Sequence, residues 1–189
     1  MLLDNDLQSE LKPELEPHER VLWINRPKQG LIFRVSDIVL IPFSIFWFGF
    51  ACFWEFLAII GEGTWFFILF GIPFVLVGFQ ICIGRFYSDI KKRKQTIYAV
   101  TDQRILIFMS YPKKKLRFLY FKDITEMQIK KAKGDYMNLL FGTKYYPLNF
   151  ATNINWPGGR PASIFEFVTD AEKAIKIVEE QQKNQSSLE

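Results

Sequence analysis

The residues that could catalyse a reaction or bind a metal are few and lie far apart in the sequence. The chain has one histidine, His18, and two cysteines, Cys52 and Cys82. The histidine stands in an acidic leader and both cysteines stand in long apolar runs. Neither a Ser-His-Asp set nor a Cys-His pair can be identified, and a single histidine leaves no metal-ligand spacing. We therefore expect a protein that is not an enzyme and that uses no cofactor or metal.

Basic side chains are the residues whose spacing points to a binding function. One cluster directly follows the second apolar run and consists of Lys91, Lys92, Arg93 and Lys94. The other consists of Lys113, Lys114, Lys115 and Arg117. Each such base adds about 1 kcal/mol of attraction to an anionic leaflet, so these residues form the candidate lipid-binding site. Two plainer alternatives stay open: the first cluster only fixes membrane orientation, and the second is a solvated turn.

Charge is distributed unevenly along the chain. Residues 1–20 hold six acidic and two basic residues, a net charge of −4, although the whole chain carries +4. Residues 91–160 hold 15 basic and four acidic residues, a net charge of +11. A basic body joined to apolar segments favours an anionic lipid surface over nucleic acid. The expected partners are membrane lipids, together with a protein partner or a second copy, and no nucleic acid.

Two apolar runs, residues 38–60 and 65–84, separate the leader from the basic half. Within these runs and the turn between them, the only charged residues are Glu55 and Glu62. Each run has about the 20 residues that a helix needs to cross a bilayer, so a transmembrane hairpin is predicted over residues 36–87. The alternative is a buried hairpin in a soluble core. It is disfavoured because a soluble helix normally keeps a polar stripe.

The charges that flank the hairpin predict its orientation. Bases precede the first run and follow the second, whereas the turn carries Glu62 and no base. Cytoplasmic segments are the ones that carry an excess of Lys and Arg. Both termini of a multi-pass protein are therefore predicted to be cytoplasmic.

Glu55 is the one charged residue inside an apolar run. An ionisable group at that position is a functional hypothesis, and a role in transport or proton relay stays open. The plainer alternative is a carboxylate that reaches water near the outer end of its helix. Ala51 and Ala58 share one face of the first helix, and Gly71 and Gly78 share one face of the second. These small residues predict close helix contact.

The leader, residues 1–20, is interpreted as a peripheral acidic segment. Leu7, Leu11 and Leu15 recur at helical spacing, which predicts a short helix. Residues 21–23 follow as a short strand or a hydrophobic staple. The first apolar helix has Ser36 as its predicted N-cap.

After the second apolar run the pattern changes to short segments typical of β-strands. The predicted strands are residues 95–100, 104–109, 116–121, 123–130, 137–141, 145–151 and 162–168. A final helix is predicted over residues 171–182, with Asp170 as its N-cap. Its apolar face would carry Ala174, Ile175 and Val178. Seven short strands closed by one C-terminal helix describe a small, partly open β-barrel.

Residues 98–106 read YAVTDQRIL. This segment resembles the Y-x-(V/L)-T-(D/N)-x-R-(I/L) opening that the bacterial PH-domain family of small membrane proteins shows directly after a pair of transmembrane helices. Residues 22–27, LWINRP, are similar to the segment that precedes those helices. The resemblance covers roughly residues 20–180. The chain departs from the family at GDYMNLLF, where a glycine-centred strand is expected, and in the long loop that follows it.

The resemblance implies a membrane α-helical hairpin plus an α+β PH-like domain, whose seven-stranded partly open barrel is capped by a C-terminal helix. It also implies the bacterial cytoplasmic (inner) membrane. The expected division is residues 1–35 as a cytoplasmic acidic leader and pre-membrane segment, 36–87 as the hairpin, 88–183 as the PH-like domain and 184–189 as a disordered tail.

The residues of the opening have a physical interpretation of their own. Tyr98 and Val100 would point to one face of a strand. Thr101 and Asp102 would bond the turn backbone, and Arg104 would pair with Asp102 or cover the barrel end. We expect these roles to be structural.

Two hypotheses for function follow. In the first, the hairpin anchors a non-enzymatic module that binds protein or anionic lipid at the cytoplasmic face. In the second, the chain is an accessory subunit of a membrane transport or envelope-stress complex and packs through its hairpin.

Overall fold

The computed structural model describes residues 2–33, 37–61, 65–132, 134–143 and 164–187. The chain divides into two compact units. One is Gly30–Lys91, and the other combines Met1–Gln29 with Lys92–Glu189. The leader, which the sequence analysis treats as separate, therefore belongs to the same unit as the β-strands.

The helices are α1 (Leu2–Leu11), α2 (Asp37–Ile60), α3 (Trp65–Phe79), α4 (Arg85–Lys94) and α5 (Ala171–Ser186). A π-helical turn, Gln80–Gly84, joins α3 to α4. The strands are β1 (Val21–Asn25), β2 (Thr96–Thr101), β3 (Arg104–Met109), β4 (Lys115–Tyr120), β5 (Ile124–Lys131), β6 (Met137–Thr143) and β7 (Ile164–Val168). The predicted strand at residues 145–151 and the predicted cap at Ser36 lie outside the described residues.

The unit Gly30–Lys91 contains the two predicted apolar helices. Asp37–Ile60 and the continuous helix Trp65–Lys94 are long and apolar enough to cross a membrane, by length and composition. Only 11% of the most apolar window of each helix is buried. The prediction of two long apolar helices is thus confirmed.

Small residues bring α2 and α3 close together. Gly71 and Gly78 are buried on α3, and Ala51 is buried on α2. A Cβ built on Gly78 would lie 2.8 Å from a ring carbon of Phe48 and 3.1 Å from its Cα. The backbone of α2 therefore leaves no space for a side chain at this position, as expected for a helix contact built on glycine.

The described strands form two antiparallel sheets, in the orders β1-β2-β3-β4 and β5-β6-β7, and among these strands the sheets do not make a closed barrel. β1 precedes the hairpin in sequence, yet it pairs with β2, which follows the hairpin: Asn25 stands opposite Tyr98 and Ile24 opposite Ala99. Six of the described strands follow the hairpin, and the seventh comes from residues that precede it. The hairpin is thus inserted between two neighbouring strands of one sheet.

Aromatic rings fill the core on the inner face of the first sheet. The Trp23 ring stacks on Phe165 at a centroid distance of 5.6 Å, and Tyr98 stacks on the same ring at 4.7 Å. Tyr98 and Val100 share this core, as the sequence predicts. The backbone N–H of Lys28 donates to the carbonyl of Phe167 at 2.9 Å, so the segment that follows β1 also meets the second sheet.

The outer face of the first sheet is covered by the leader. Leu7 and Leu11 of α1 are buried in one cluster with Ile97, Leu106 and Phe108. The spacing of the leucines predicts the helix correctly. Its interpretation as a peripheral segment is wrong, because its apolar stripe closes a second hydrophobic core.

The C-terminal helix α5 packs as expected, but it begins differently. Ala171, Ala174 and Val178 are buried in the inner core, and Ile175 packs against it. Asp170 stands at the N-cap with a left-handed φ of 55°, and its side chain makes no capping hydrogen bond. The predicted side-chain cap is therefore wrong.

We expect Trp23→Ala to lower the free energy of unfolding by about 3–5 kcal/mol, because it removes a buried ring from the core. Leu22→Ala in the same strand is the matched control. Leu22 is 40% exposed, so its replacement should cost about 0.5 kcal/mol. Urea unfolding of the full chain in nonionic detergent measures both. Equal effects would contradict the assignment of β1 to the domain core.

Gly78→Leu should separate α2 from α3 and lower the temperature at which the hairpin unfolds in mild detergent. Gly49→Leu adds the same side chain where no atom lies within 4 Å of the built Cβ, so it should be tolerated. Helix content followed on heating distinguishes the two variants. A hairpin that tolerates both would show that the close approach at Gly78 is not required.

Candidate functional site

The two predicted basic clusters lie at the same end of the first sheet. In the strand register, Thr96 at the start of β2 stands opposite Met109, which in turn stands opposite Lys115. The backbone N–H of Ser110 donates to the carbonyl of Gln95 at 3.0 Å, so the β3–β4 turn abuts the end of α4. β1 ends and β2 begins here. The chain therefore leaves the sheet for the hairpin at this end and returns to the sheet at the same end. We call it the basic end.

All but one of the lysines of the basic end are exposed to solvent. The exposed lysines are Lys92, Lys94, Lys113, Lys114 and Lys115. Lys91 is half-buried and belongs to the hairpin unit. Arg117 is also half-buried, opposite Ile107 in the register. Lys114 forms an ion pair with Glu14 of the leader.

Arg93 is buried, unlike the exposed lysines on either side of it in the sequence. Its side chain is buried, with the residue only 5% exposed. Its Nε donates to the carbonyl of Lys28 at 3.1 Å, and Gln29 Nε2 donates back to the Arg93 carbonyl at 3.3 Å. Arg93 thus ties the segment that enters the hairpin to the segment that leaves it. It offers no surface to a headgroup.

A buried charge cluster lies where the leader meets the opposite end of the sheet. Both Glu19 oxygens accept from Arg104, from Nε at 3.0 Å and from Nη2 at 2.9 Å. The Thr101 hydroxyl donates to Glu19 Oε1 at 2.8 Å and accepts from the Arg104 backbone N–H at 3.0 Å. A two-point pair of this kind is the strongest geometry for Arg and carboxylate.

Of the two roles predicted for Arg104, pairing with Asp102 is wrong, because Arg104 pairs with Glu19. Asp102 accepts instead from the backbone N–H of Arg20 at 3.0 Å. Sequence reasoning missed Glu19 because it stands 85 residues from Arg104 in the chain. The available signal was the opposite charge of leader and body. Two further ion pairs also join an acid of the leader to a base outside it: Glu10–Arg26 and Glu14–Lys114.

The cluster shifts the pKa values of its members. Burial on its own would raise the pKa of the Glu19 carboxyl, because it disfavours the charged form. Hydrogen bonds from Arg104, the Glu16 backbone amide and Thr101 outweigh burial, so this pKa lies below its ordinary value. Burial would likewise lower the pKa of Arg104, but Glu19 and Glu16 raise it above its ordinary value.

Glu55 lies against Gly71 inside the hairpin unit. A Cβ built on Gly71 would fall 1.8 Å from Glu55 Oε2, so this carboxylate oxygen occupies the space that glycine leaves. The same oxygen is buried and has no hydrogen-bond partner among the residues that the structure describes.

Comparison with known proteins adds no relative. No family model, no curated protein and no solved structure matches this chain. Among the described residues, no group of three or more His, Cys, Asp or Glu side chains could hold a metal ion. The strand register, which brings the exposed lysines together, makes the basic end the candidate site.

Glu19→Gln should destabilise the fold by about 3 kcal/mol near neutral pH, because it leaves a buried Arg104 poorly paired. The pKa of Glu19 is lower in the folded chain than in the unfolded chain. Its carboxylate therefore stabilises the fold above the unfolded value of about 4.3, and this contribution disappears as pH falls through the folded pKa. Thermal unfolding of the full chain in nonionic detergent, from neutral pH downward, should show a shallower acid slope in the variant.

Glu16→Gln is the matched control for this measurement. The Glu16 side chain is 51% exposed, so its ion pair with Arg104 should contribute only about 0.5 kcal/mol. If Glu19→Gln and Glu16→Gln show the same acid slope as the unchanged protein, the buried pair does not control acid stability.

Proposed function

We propose that this chain is a multi-pass protein of the bacterial cytoplasmic membrane. In this proposal the hairpin anchors a PH-like domain, and the domain is a non-enzymatic module whose basic end binds anionic lipid headgroups. The observation that carries the proposal is the strand register, because it puts both exposed lysine clusters at the end where the chain joins the hairpin.

The surface of the hairpin supports a lipid environment. Large apolar side chains are widely exposed on both helices, with Phe46 at 73% and Trp65 at 70%. A soluble protein rarely exposes contiguous apolar surface on this scale. At about 1.5 Å per residue, α2 extends over roughly 36 Å, which is enough for a hydrocarbon core of about 30 Å.

The order of elements in the other unit supports the PH-like assignment. Four antiparallel strands are followed by three, and a C-terminal helix closes the core between the two sheets. The resemblance of residues 98–106 to the bacterial family points the same way. In this proposal the hairpin is an insertion between the first two strands of the domain.

The flanking charges support placement of the domain on the cytoplasmic side, where anionic lipids and an excess of basic loop residues coincide. At that leaflet the exposed lysines of the basic end would each add about 1 kcal/mol of attraction. Several such bases in one place are sufficient for a salt-sensitive contact with an anionic surface, without a deep ligand pocket.

The proposal predicts a lipid-dependent footprint on the β3–β4 turn. With the full chain in bilayer nanodiscs, amine acylation of Lys113, Lys114 and Lys115 should fall when phosphatidylglycerol replaces part of the phosphatidylcholine. High salt should restore the labelling, because it screens the attraction. Lys122 is the matched control, since it is exposed just beyond the opposite end of β4 and should label equally in both lipids.

Unchanged labelling in both lipids would exclude headgroup binding at this end. The hypothesis of a subunit that packs on other membrane helices would then be the better explanation of the hairpin.

A further inference from the structure

One acid of the leader lies against the lysines of the β3–β4 turn. Glu14 Oε1 is 2.5 Å from Nζ of Lys114. The same ammonium lies 5.7 Å from the centre of the Phe108 ring, which belongs to the outer core that the leader covers. A cation within about 6 Å of a ring centre is attracted to the ring face. The domain itself therefore holds Lys114, through a carboxylate and an aromatic ring.

The two sequence neighbours of Lys114 are not held in this way. Lys113 and Lys115 are exposed, and neither forms an ion pair with another described residue. All three lysines belong to the surface that is proposed to bind headgroups. Glu14 thus neutralises one of the three adjacent bases that this surface presents.

Glu14 is fixed by the packing of the leader on both sides of it. Leu11 is fully buried in the outer core, and Leu15 packs against the same core. Between them, the short 3-10 turn Lys12–Glu14 is closed by the Leu15 backbone N–H, which donates to the Lys12 carbonyl at 3.3 Å. The Glu14 side chain is only 20% exposed, whereas that of Lys114 is 63% exposed. The acid is therefore held in place, and the base remains within reach of another anion.

Glu14 and an anionic leaflet attract Lys114 with comparable strength. An exposed ion pair is usually weak, because two flexible side chains must be ordered to form it. Here the carboxylate is already ordered by the leader, so only the lysine loses freedom when the pair forms. Neither anion excludes the other, and the number of anionic headgroups nearby decides which of them holds the lysine.

We propose that Glu14 is a built-in competitor of anionic headgroups for Lys114, an autoinhibitory contact between the leader and the basic end. The inference rests on the proposed function. A carboxylate and a phosphate both offer charged acceptor oxygens to an ammonium group. While Lys114 is paired with Glu14, the two charges cancel and the pair adds no net attraction to the leaflet. The domain therefore engages a leaflet fully only when its anionic lipid is dense enough to displace Glu14.

Zero-length crosslinking of the full chain with a water-soluble carbodiimide measures the pair and its displacement directly. This reagent joins a carboxylate to an amine only where the two groups are in contact. In nanodiscs of phosphatidylcholine, mass spectrometry should find a crosslink between Glu14 and Lys114. Its yield should fall about three-fold when phosphatidylglycerol replaces about half of the lipid, because headgroups then hold the lysine.

Glu14→Gln tests the competition by removing the charge and keeping the shape of the side chain. The comparison is made at the lipid composition that half protects Lys113 and Lys115 from acylation in the unchanged chain. There the variant should raise the ratio of protected to free lysine about three-fold. In a Lys114→Gln background this gain should disappear, since the base for which the two anions compete is gone.

Glu10→Gln is the matched control, because it removes a leader acid whose partner is Arg26, outside the β3–β4 turn. It should leave the ratio of protected to free lysine nearly unchanged. Any small gain in Glu10→Gln measures the general repulsion between the leader and an anionic leaflet. Far-ultraviolet circular dichroism checks that all variants retain the fold.

A crosslink that phosphatidylglycerol weakens, with a gain specific to Glu14→Gln, would support the inference. Absence of the crosslink in phosphatidylcholine, a yield that does not respond to lipid, or equal gains in Glu14→Gln and Glu10→Gln would overturn it. The footprint on the turn lysines of the unchanged chain is a separate measurement, so the inference can fail while the proposed function stands. Absence of that footprint in the unchanged chain and in Glu14→Gln alike would overturn both.

Discussion

The pairing of β1 with β2 is the constraint on which the other features depend. These strands are separated in sequence by the entire hairpin, yet neighbouring strands must lie about 4.8 Å apart. Only an insertion whose two ends return to the same place can satisfy that distance, and two antiparallel helices do so. Arg93 secures the junction, because its guanidinium and carbonyl bond the Lys28–Gln29 segment on the other side.

The same constraint explains the acidic leader. Once β1 is fixed in the sheet, the residues before it cannot leave the domain, and α1 covers the outer apolar face. Glu19 then meets Arg104 in a buried, bidentate pair, and the low pKa of Glu19 keeps that pair charged at neutral pH. The negative charge of the leader is therefore used within the domain. The lysines of the basic end remain exposed, although Lys114 forms an ion pair with Glu14 of the leader.

These arrangements divide the basic residues by role. Arg93 and Arg104 are buried and hold the chain together, while Lys92 and the lysines of the β3–β4 turn stay on the surface. Arginine suits the first role because its planar group satisfies several acceptors at once. Lysine suits the second because a flexible ammonium can follow a fluid headgroup surface. The proposed function uses the exposed lysines, whereas Arg93 serves the fold.

The sequence by itself determined the features that repeat locally. These features are the apolar runs of membrane length, the alternation that places Tyr98 and Val100 on one face, and the apolar stripe of α5. They can be predicted from the sequence because the spacing and type of apolar residues reflect which side chains are buried. The tertiary structure alone decided which distant segments meet. The addition of β1 to the sheet, the choice of Glu19 over Asp102 for Arg104 and the burial of Arg93 depend on strand register and on charge compensation across the chain. Neither strand register nor charge compensation between distant residues produces a periodic pattern in the sequence.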